Sequence, residues 1–486
     1  MKRLFRIFGQ LVVTSGFIFT AVGSASAEKL APSYLAFQIF TVAVDSKEMR
    51  ESFPPTPDLR ATVADLRARI GVLGTGSRRL GFVVGPIAFD NTDQNARAAI
   101  AKGFEVALET GVAVGFHIDD SMFWGRLKEL NTPDSIEWLD WNRTPNTGRR
   151  LDWSSTPKKI LPQLCLNSRA VREAVARRAA LIGDEVARGV AKLRAAGQDD
   201  LFLGVIAGWE TQIGRDFDTG KDLGYCALTN AGFSAAKPPA DMDAARSRVV
   251  AEFAGFWARS LVKAGVPQSK VYSHIAYQSE ILYQLARRMN PGAAPRSYSQ
   301  AVHFTPPATA FCDGCVPGFS TYPQPGHLEQ WQAERKKHGD PPWASCEGTA
   351  IDPGEAERTG RGMDMEGYLG NLFNHGAMLV NIFGWGVGGP DNPFRKVAEG
   401  DAALTAYRKF LRGEALKETP VPIPPLPPAD LPDKIHEVQA LLPGWIEKNG
   451  PARIKDHMES LARALKEQRF VDAEKIADAI LAIIRK

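Results

Sequence analysis

An excess of charge of either sign is missing from this chain. Its 59 Lys and Arg against 55 Asp and Glu leave a formal +4, so nothing electrostatic points to a nucleic-acid partner. Beyond the N-terminal segment no apolar run approaches the roughly 20 residues that cross a bilayer. Cysteine is scarce and odd in number, five in all, so not every thiol can pair within the chain. No Gly-rich phosphate fingerprint marks the first strand-to-helix turn, which argues against a dinucleotide fold, and there is no P-loop or kinase-like set. The absence of a Gly-x-Ser-x-Gly elbow disfavours serine-nucleophile chemistry, and the absence of His-Glu-x-x-His disfavours a zincin. No internal repeat of fixed period occurs.

What is present begins with Lys2, Arg3 and Arg6, an apolar stretch from Phe8 to Val22, and the small-residue pattern Ala25-Ser-Ala27. This is the layout of a secretory signal peptide over residues 1–27. The alternative is a retained anchor, but a glutamine, a serine, two threonines and two glycines interrupt the stretch. Removal takes away three basic and no acidic residues, so +4 falls to +1. The mature chain is expected in the periplasm or secreted, with no membrane association after cleavage. In such a compartment Cys312-Asp-Gly-Cys315 reads as a loop-stapling disulfide, with a redox pair as the alternative. Cys165 and Cys226 are candidates for a second bridge, and Cys346 reads as a core thiol.

After the leader, apolar runs of strand length alternate with segments of helical period, the order of a parallel sheet wrapped by helices. The strand candidates are 34–41, 79–85, 111–118, 201–207, 270–275, a sixth at 301–304 or 319–322, then 342–346 and 377–383. Helical patterns fall at 58–70, 93–110, 168–196, 240–264, 278–289, 328–337, 363–375 and 401–411. Eight such units predict a (β/α)8 TIM barrel over residues 28–417. The connection 119–167 is long for a loop and holds Trp124, Trp138, Trp141 and Trp153, so it is expected to form a wall over the barrel mouth. A proline-rich linker spans 418–432, and 433–486 reads as a small helical module suited to packing or partner docking.

In a barrel of this kind the functional side chains come from the carboxyl ends of the strands. Glu210 follows the fourth apolar run and Glu347 ends the seventh. Two carboxyls converging on one mouth suit glycosidic cleavage, where one protonates the leaving oxygen while the other attacks the anomeric carbon or activates water. This placement resembles the four/seven superfamily (clan A) of retaining glycoside hydrolases. The resemblance covers Tyr34 to Leu411 as a pattern, and it implies Glu210 as acid/base and Glu347 as nucleophile. Family members usually carry Asn before the acid/base, where this chain has Trp209, so the contact to the sugar 2-hydroxyl falls to another residue such as Gln212. Trp385, after the eighth strand, matches the family's tryptophan platform.

Other mouth candidates are Asp119 and Asp120, able to clamp paired sugar hydroxyls or, more plainly, to cap a loop. Gln38, His274 and Tyr322 fall near strand ends as subsite candidates, and Trp124 could stack on a sugar or sit in the loop's own core. The expected ligand is a poly- or oligosaccharide, and no cofactor is implied. Two rivals remain: a non-catalytic carbohydrate-binding barrel, and a metal-dependent hydrolase using His117, Asp119, His274 and His303.

Overall fold

Strands covered on both faces must be apolar almost throughout, and the first one, Ser33–Phe40 (β1), is buried along nearly its whole length. The computed structural model describes residues 31–41, 54–151, 158–277, 279, 305–324, 326–352, 363–387, 391–421, 428, 430–467 and 469–485. The leader, the expected helix at 278–289 apart from Ser279, the strand candidate at 301–304 with His303, Trp153 and residues 422–427 and 429 of the proline run lie outside the described residues.

Seven further strands join β1: Arg78–Ile87 (β2), Ala113–Ile118 (β3), Phe202–Thr211 (β4), Val271–Ile275 (β5), Gly318–Ser320 (β6), Trp343–Gly348 (β7) and Ala377–Ile382 (β8). Each pairs in parallel with its sequence neighbours, and β1 pairs with both β2 and β8, so the sheet closes into an eight-stranded barrel. Helices pack outside it, among them Leu59–Ile70 (α1), Asp93–Thr110 (α2), Arg169–Ala195 (α3), Tyr225–Asn230 (α4), Met242–Lys263 (α5), His327–Lys337 (α6), Met365–Phe373 (α7), Pro393–Ala398 (α8) and Asp401–Leu411 (α9). This is the (β/α)8 architecture.

Local chemistry sets the boundaries. Asp58, Thr92, Ser168 and Asp241 each cap a helix by accepting from a backbone amide of its first turn. Gly111 closes α2 at φ 70°, which delays β3 to Ala113 instead of the expected residue 111. The sixth strand is the 319–322 candidate, and its ambiguity has a cause: only three residues pair. Position 318 must be glycine, since a Cβ there would come within 2.5 Å of Cys346 Sγ and 2.6 Å of Ser273 O.

The loop after β3 carries a two-stranded ribbon, Arg149–Arg150 with Lys159–Ile160, and its Trp124, Ile136, Trp138 and Leu164 join the main apolar core. Trp124 and Trp138 are buried, each donating its indole N–H to a loop carbonyl, Pro162 and Pro133 respectively. Beyond the proline run, Leu431–Asn449 (α10), Lys455–Lys466 (α11) and Phe470–Ile484 (α12) share a separate apolar core built on Leu431, Ile435, Phe470 and Ile480. No helix among the described residues is long and apolar enough to cross a membrane.

Candidate active site

Beneath the mouth, a chain of polar side chains crosses the barrel. Asn381 Nδ2 donates to Gln38 Oε1 at 3.0 Å, and the same oxygen lies 3.0 Å from His117 Nδ1. His117 Nε2 is 3.0 Å from His274 Nδ1, whose Nε2 is 2.8 Å from Ser320 Oγ. Five strands contribute, and Gly85 makes room, since a Cβ there would meet His117 O at 2.9 Å. Burial holds both imidazoles neutral: His274 is pushed down to about 3, and His117 well below the usual range by burial and by its partner His274. Gln38 and His274, expected along the subsites, are 1% and 0% exposed and belong instead to this floor. Gln38 Oε1 and both His274 nitrogens are engaged there, whereas Gln38 Nε2 has no hydrogen-bond partner among the described residues.

On this floor rests the end of β4. Gly208 has φ 133°, and its carbonyl lies 2.9 Å from His117 Nε2 and 3.2 Å from His274 Nδ1. The pairing of β4 with β5 slips between Ala207 and Thr211, and within that slip Glu210 adopts φ 54°. Non-glycine residues rarely hold a left-handed conformation, and such strain concentrates at functional sites. Trp209 stacks flat on His117, with centroids 4.2 Å apart and planes 8° from parallel.

Across the mouth, Tyr322 donates its hydroxyl to Glu347 Oε1 at 2.6 Å. The phenol is driven well above its ordinary pKa by burial first, then by the charge of Glu347, and then by that of Glu210. Residues 210 and 347, far apart along the chain, therefore act on one phenol. Each is only 8% exposed. Arg215, a candidate ion-pair partner for Glu210, pairs with Asp222 at 3.3 Å.

Asp119 and Asp120 do different work. Asp119 Oδ1 accepts from the backbone amides of Ser121, Met122 and Phe123, fixing the loop as the plainer expectation had it. Its Oδ2 is buried without a hydrogen-bond partner among the described residues, and its pKa is raised to about 7 by burial and by Asp120. Asp120 Oδ2 accepts from Thr211 Oγ1 at 2.6 Å and its Oδ1 from Trp209 N at 3.4 Å. Burial raises this carboxyl too, while Thr211 and Arg149 draw it down.

An apolar patch completes the mouth: Phe40, Ala88, Met122, Phe123, Leu151, Trp209, Phe383 and Val387. Gln212 lies in the same strand-end region, 4% exposed, with Oε1 lacking a hydrogen-bond partner among the described residues. Trp385 is not part of the patch. It packs edge-on against Phe37 at 5.1 Å and under Arg69 of α1, in the layer between barrel and helices. Trp124, likewise, is buried in the main core, its indole N–H donated to Pro162 O. The turn after β8 thus delivers Phe383 to the mouth in place of Trp385, and no residue-type signal separates the two.

Among the described residues no three His, Cys, Asp or Glu side chains gather as metal ligands, and His303 lies outside them. The ring nitrogens of His117 and His274 are engaged in the floor. All five cysteines are free thiols, where sequence favoured disulfides. The same couples still lie close enough to shift one another's thiols, Cys226 raising Cys165 and Cys315 raising Cys312, while Cys165 Sγ donates to Asn167 Oδ1 and Cys315 Sγ to Cys312 O.

No family model matches the chain, and no curated protein does. Among solved structures it is similar to an exo-beta-1,4-mannosidase from Opitutaceae bacterium strain TAV5, at 11% identity and TM-score 0.38 over 78% of this chain and 59% of that one. It is also similar to a GH5-4 broad specificity endoglucanase from an uncultured bacterium, at 9% identity and TM-score 0.37 over 76% and 89%. An exo-beta-agarase aligns at 10% identity and TM-score 0.33 over 72% of this chain and 46% of that one. The chain thus spans about three-fifths of the mannosidase, and likenesses this distant carry no conclusion about chemistry.

Proposed function

We propose that this protein is a retaining glycoside hydrolase or transglycosidase acting on a poly- or oligosaccharide. The observation that carries the reading is the half-buried Tyr322, whose hydroxyl donates to Glu347 and whose pKa the charges of both Glu347 and Glu210 raise. Two carboxyls about one point in a closed mouth can act on the two sides of one glycosidic bond.

In the first step the Glu347 carboxylate attacks the anomeric carbon as the bond to the leaving oxygen breaks. Glu210 supplies the proton that this oxygen takes. In the second, Glu210 takes a proton from water, or from an acceptor hydroxyl in transglycosylation. The resulting oxygen nucleophile attacks the anomeric carbon and frees Glu347. Tyr322, by donating to Glu347, holds its attacking oxygen in place. The apolar patch around Trp209 and Phe383 offers a surface for a sugar face.

The test is Glu210→Gln and Glu347→Gln assayed separately on a panel of cell-envelope and plant glycans. Each is expected to lose roughly 10²- to 10⁴-fold in kcat, with the product anomer, followed by NMR, retaining the substrate's configuration. Variants as fast as the parent would remove the assignment. An inert parent that still binds glycans would make the barrel a binding module.

A further inference from the structure

Glutamate gains nothing intrinsically from φ 54°, and such a conformation persists only where its surroundings impose it. On one side Gly208 O lies 2.9 Å from His117 Nε2 and 3.2 Å from His274 Nδ1, where an imidazole N–H of the floor donates to it. On the other, one carboxylate reaches both neighbours of Glu210: Asp120 accepts from the amide of Trp209 and from the hydroxyl of Thr211. Asp120 comes from the loop after β3 and is 1% exposed. Keeping a carboxylate in so dry a place is costly, and its bonds to Thr211 and Trp209 with the charge of Arg149 offset part of that cost.

We propose that Asp120 is a positioning residue for Glu210, straddling residues 209 and 211 so that residue 210 is held in its left-handed turn with its carboxyl beside Tyr322 and Glu347. This rests on the reading of Glu210 as acid/base. Without the clamp, residue 210 relaxes to an ordinary extended φ and its side chain swings toward the other face of the strand. Leaving-group protonation then suffers more than substrate binding does.

The experiment compares Asp120→Ala, Asp120→Asn and Thr211→Val with Glu210→Gln. In crystals of Asp120→Ala, residue 210 is expected at negative φ. Asp120→Asn, which can still accept from the Trp209 amide and donate to Thr211 Oγ1, keeps it positive. In kinetics, Asp120→Ala should lower kcat/KM about 10²-fold on glycosides with poor leaving groups and less than about fivefold on dinitrophenyl glycosides, which leave without protonation and on which kcat instead reports the second step, where Glu210 is the base. Asp120→Asn should restore most of that loss. A positive φ at residue 210 in Asp120→Ala, or equal losses on both substrate types, overturns the proposal. Should Asp120→Ala not fold, Thr211→Val removes the 2.6 Å partner from the other side and is read in the same way. If Glu210→Gln shows no dependence on leaving group, the acid/base reading fails by itself, and φ at residue 210 still decides whether Asp120 positions it.

Discussion

Glu137, in the long loop, is fully buried, with its Oε2 accepting from Cys226 N at 3.1 Å and Ala227 N at 3.4 Å as α4 begins. Its Oε1 has no hydrogen-bond partner among the described residues. Burial pushes this carboxyl up to about 7, against the pull of those amides and of Arg246. In the unfolded chain a glutamate titrates near 4.3, so between about 4.3 and 7 the folded protein keeps a proton that the unfolded one has lost. A raised acid therefore favours the folded state most at low pH, and that advantage drains away as pH rises through 7. The gap between about 7 and 4.3, at 1.36 kcal/mol per pH unit, is about 3 to 4 kcal/mol. Glu137→Gln keeps an oxygen for the two amides and removes the charge. Urea unfolding should show the variant within about 1 kcal/mol of the parent at pH 5, where most of the cost has not yet fallen due, and about 2 to 3 kcal/mol further ahead at pH 8. Asp119, also raised to about 7, is present in both proteins and cancels in the difference. A stability gap that does not change with pH would refute the reasoning.

Tyr322→Phe deletes the hydroxyl that donates to Glu347, a charge-assisted bond, so kcat should fall about 10- to 100-fold with KM little changed; an unaltered kcat would contradict the role given to Tyr322. His117 and His274 are held neutral, the latter down to about 3, so their ring NMR signals should stay flat from pH 5 to 8, and a midpoint near 6.5 would contradict the buried floor. For these depressed bases the sign is opposite to that of Glu137. Unfolded imidazoles take up protons below about 6.5 that the folded ones refuse, so they remove stability as pH falls.

The barrel was legible because its strands are continuous apolar runs and its helices announce themselves through caps such as Asp58 and Thr92. Where the reading faltered, the local signal was weak: β6 pairs over three residues, and Gly111 looks like a strand residue while serving as a helix stop. Glu210 and Glu347 stood out as candidates because carboxyls at strand ends are few, and their chemical role is the proposal above. Gln38 and His274 were misplaced because a polar residue near a strand end looks the same whether it faces the mouth or one turn deeper into the barrel. Trp385 was misplaced because the turn after β8, which sends Phe383 up and Trp385 out, has no signature in residue type. The straddling contact of Asp120 joins residues 91 apart at their nearest bond, and no periodicity reports such a contact.

The two carboxylates share a backbone property that explains why alternation does not locate them. In β7, Cys346 faces the barrel interior, where its Sγ donates to Ser273 O at 3.1 Å. Strict alternation would then turn Glu347 outward, toward the helices. It does not hold, because β7 carries an extra residue against both neighbours: Ser345 pairs with Phe319 while Glu347 pairs with Ser320, and Val380 to Ile382 spans Ser345 to Gly348. Such a slip re-aims a side chain. Likewise in β4, Trp209 lies on His117 over the barrel floor, so a regular strand would send Glu210 the other way; the slip before Thr211 and the left-handed φ bring it round to act on Tyr322. Each carboxyl thus reaches the mouth through a departure from strand geometry at its own position. The departure in β7 is a register slip, which its neighbours' ladders hold. That in β4 adds a strained residue and depends on side chains brought from β3, β5 and the loop after β3, while Asn381 of the same floor donates to Cys346 O at 2.8 Å beside Glu347, so damage to the polar floor should reach both carboxyls.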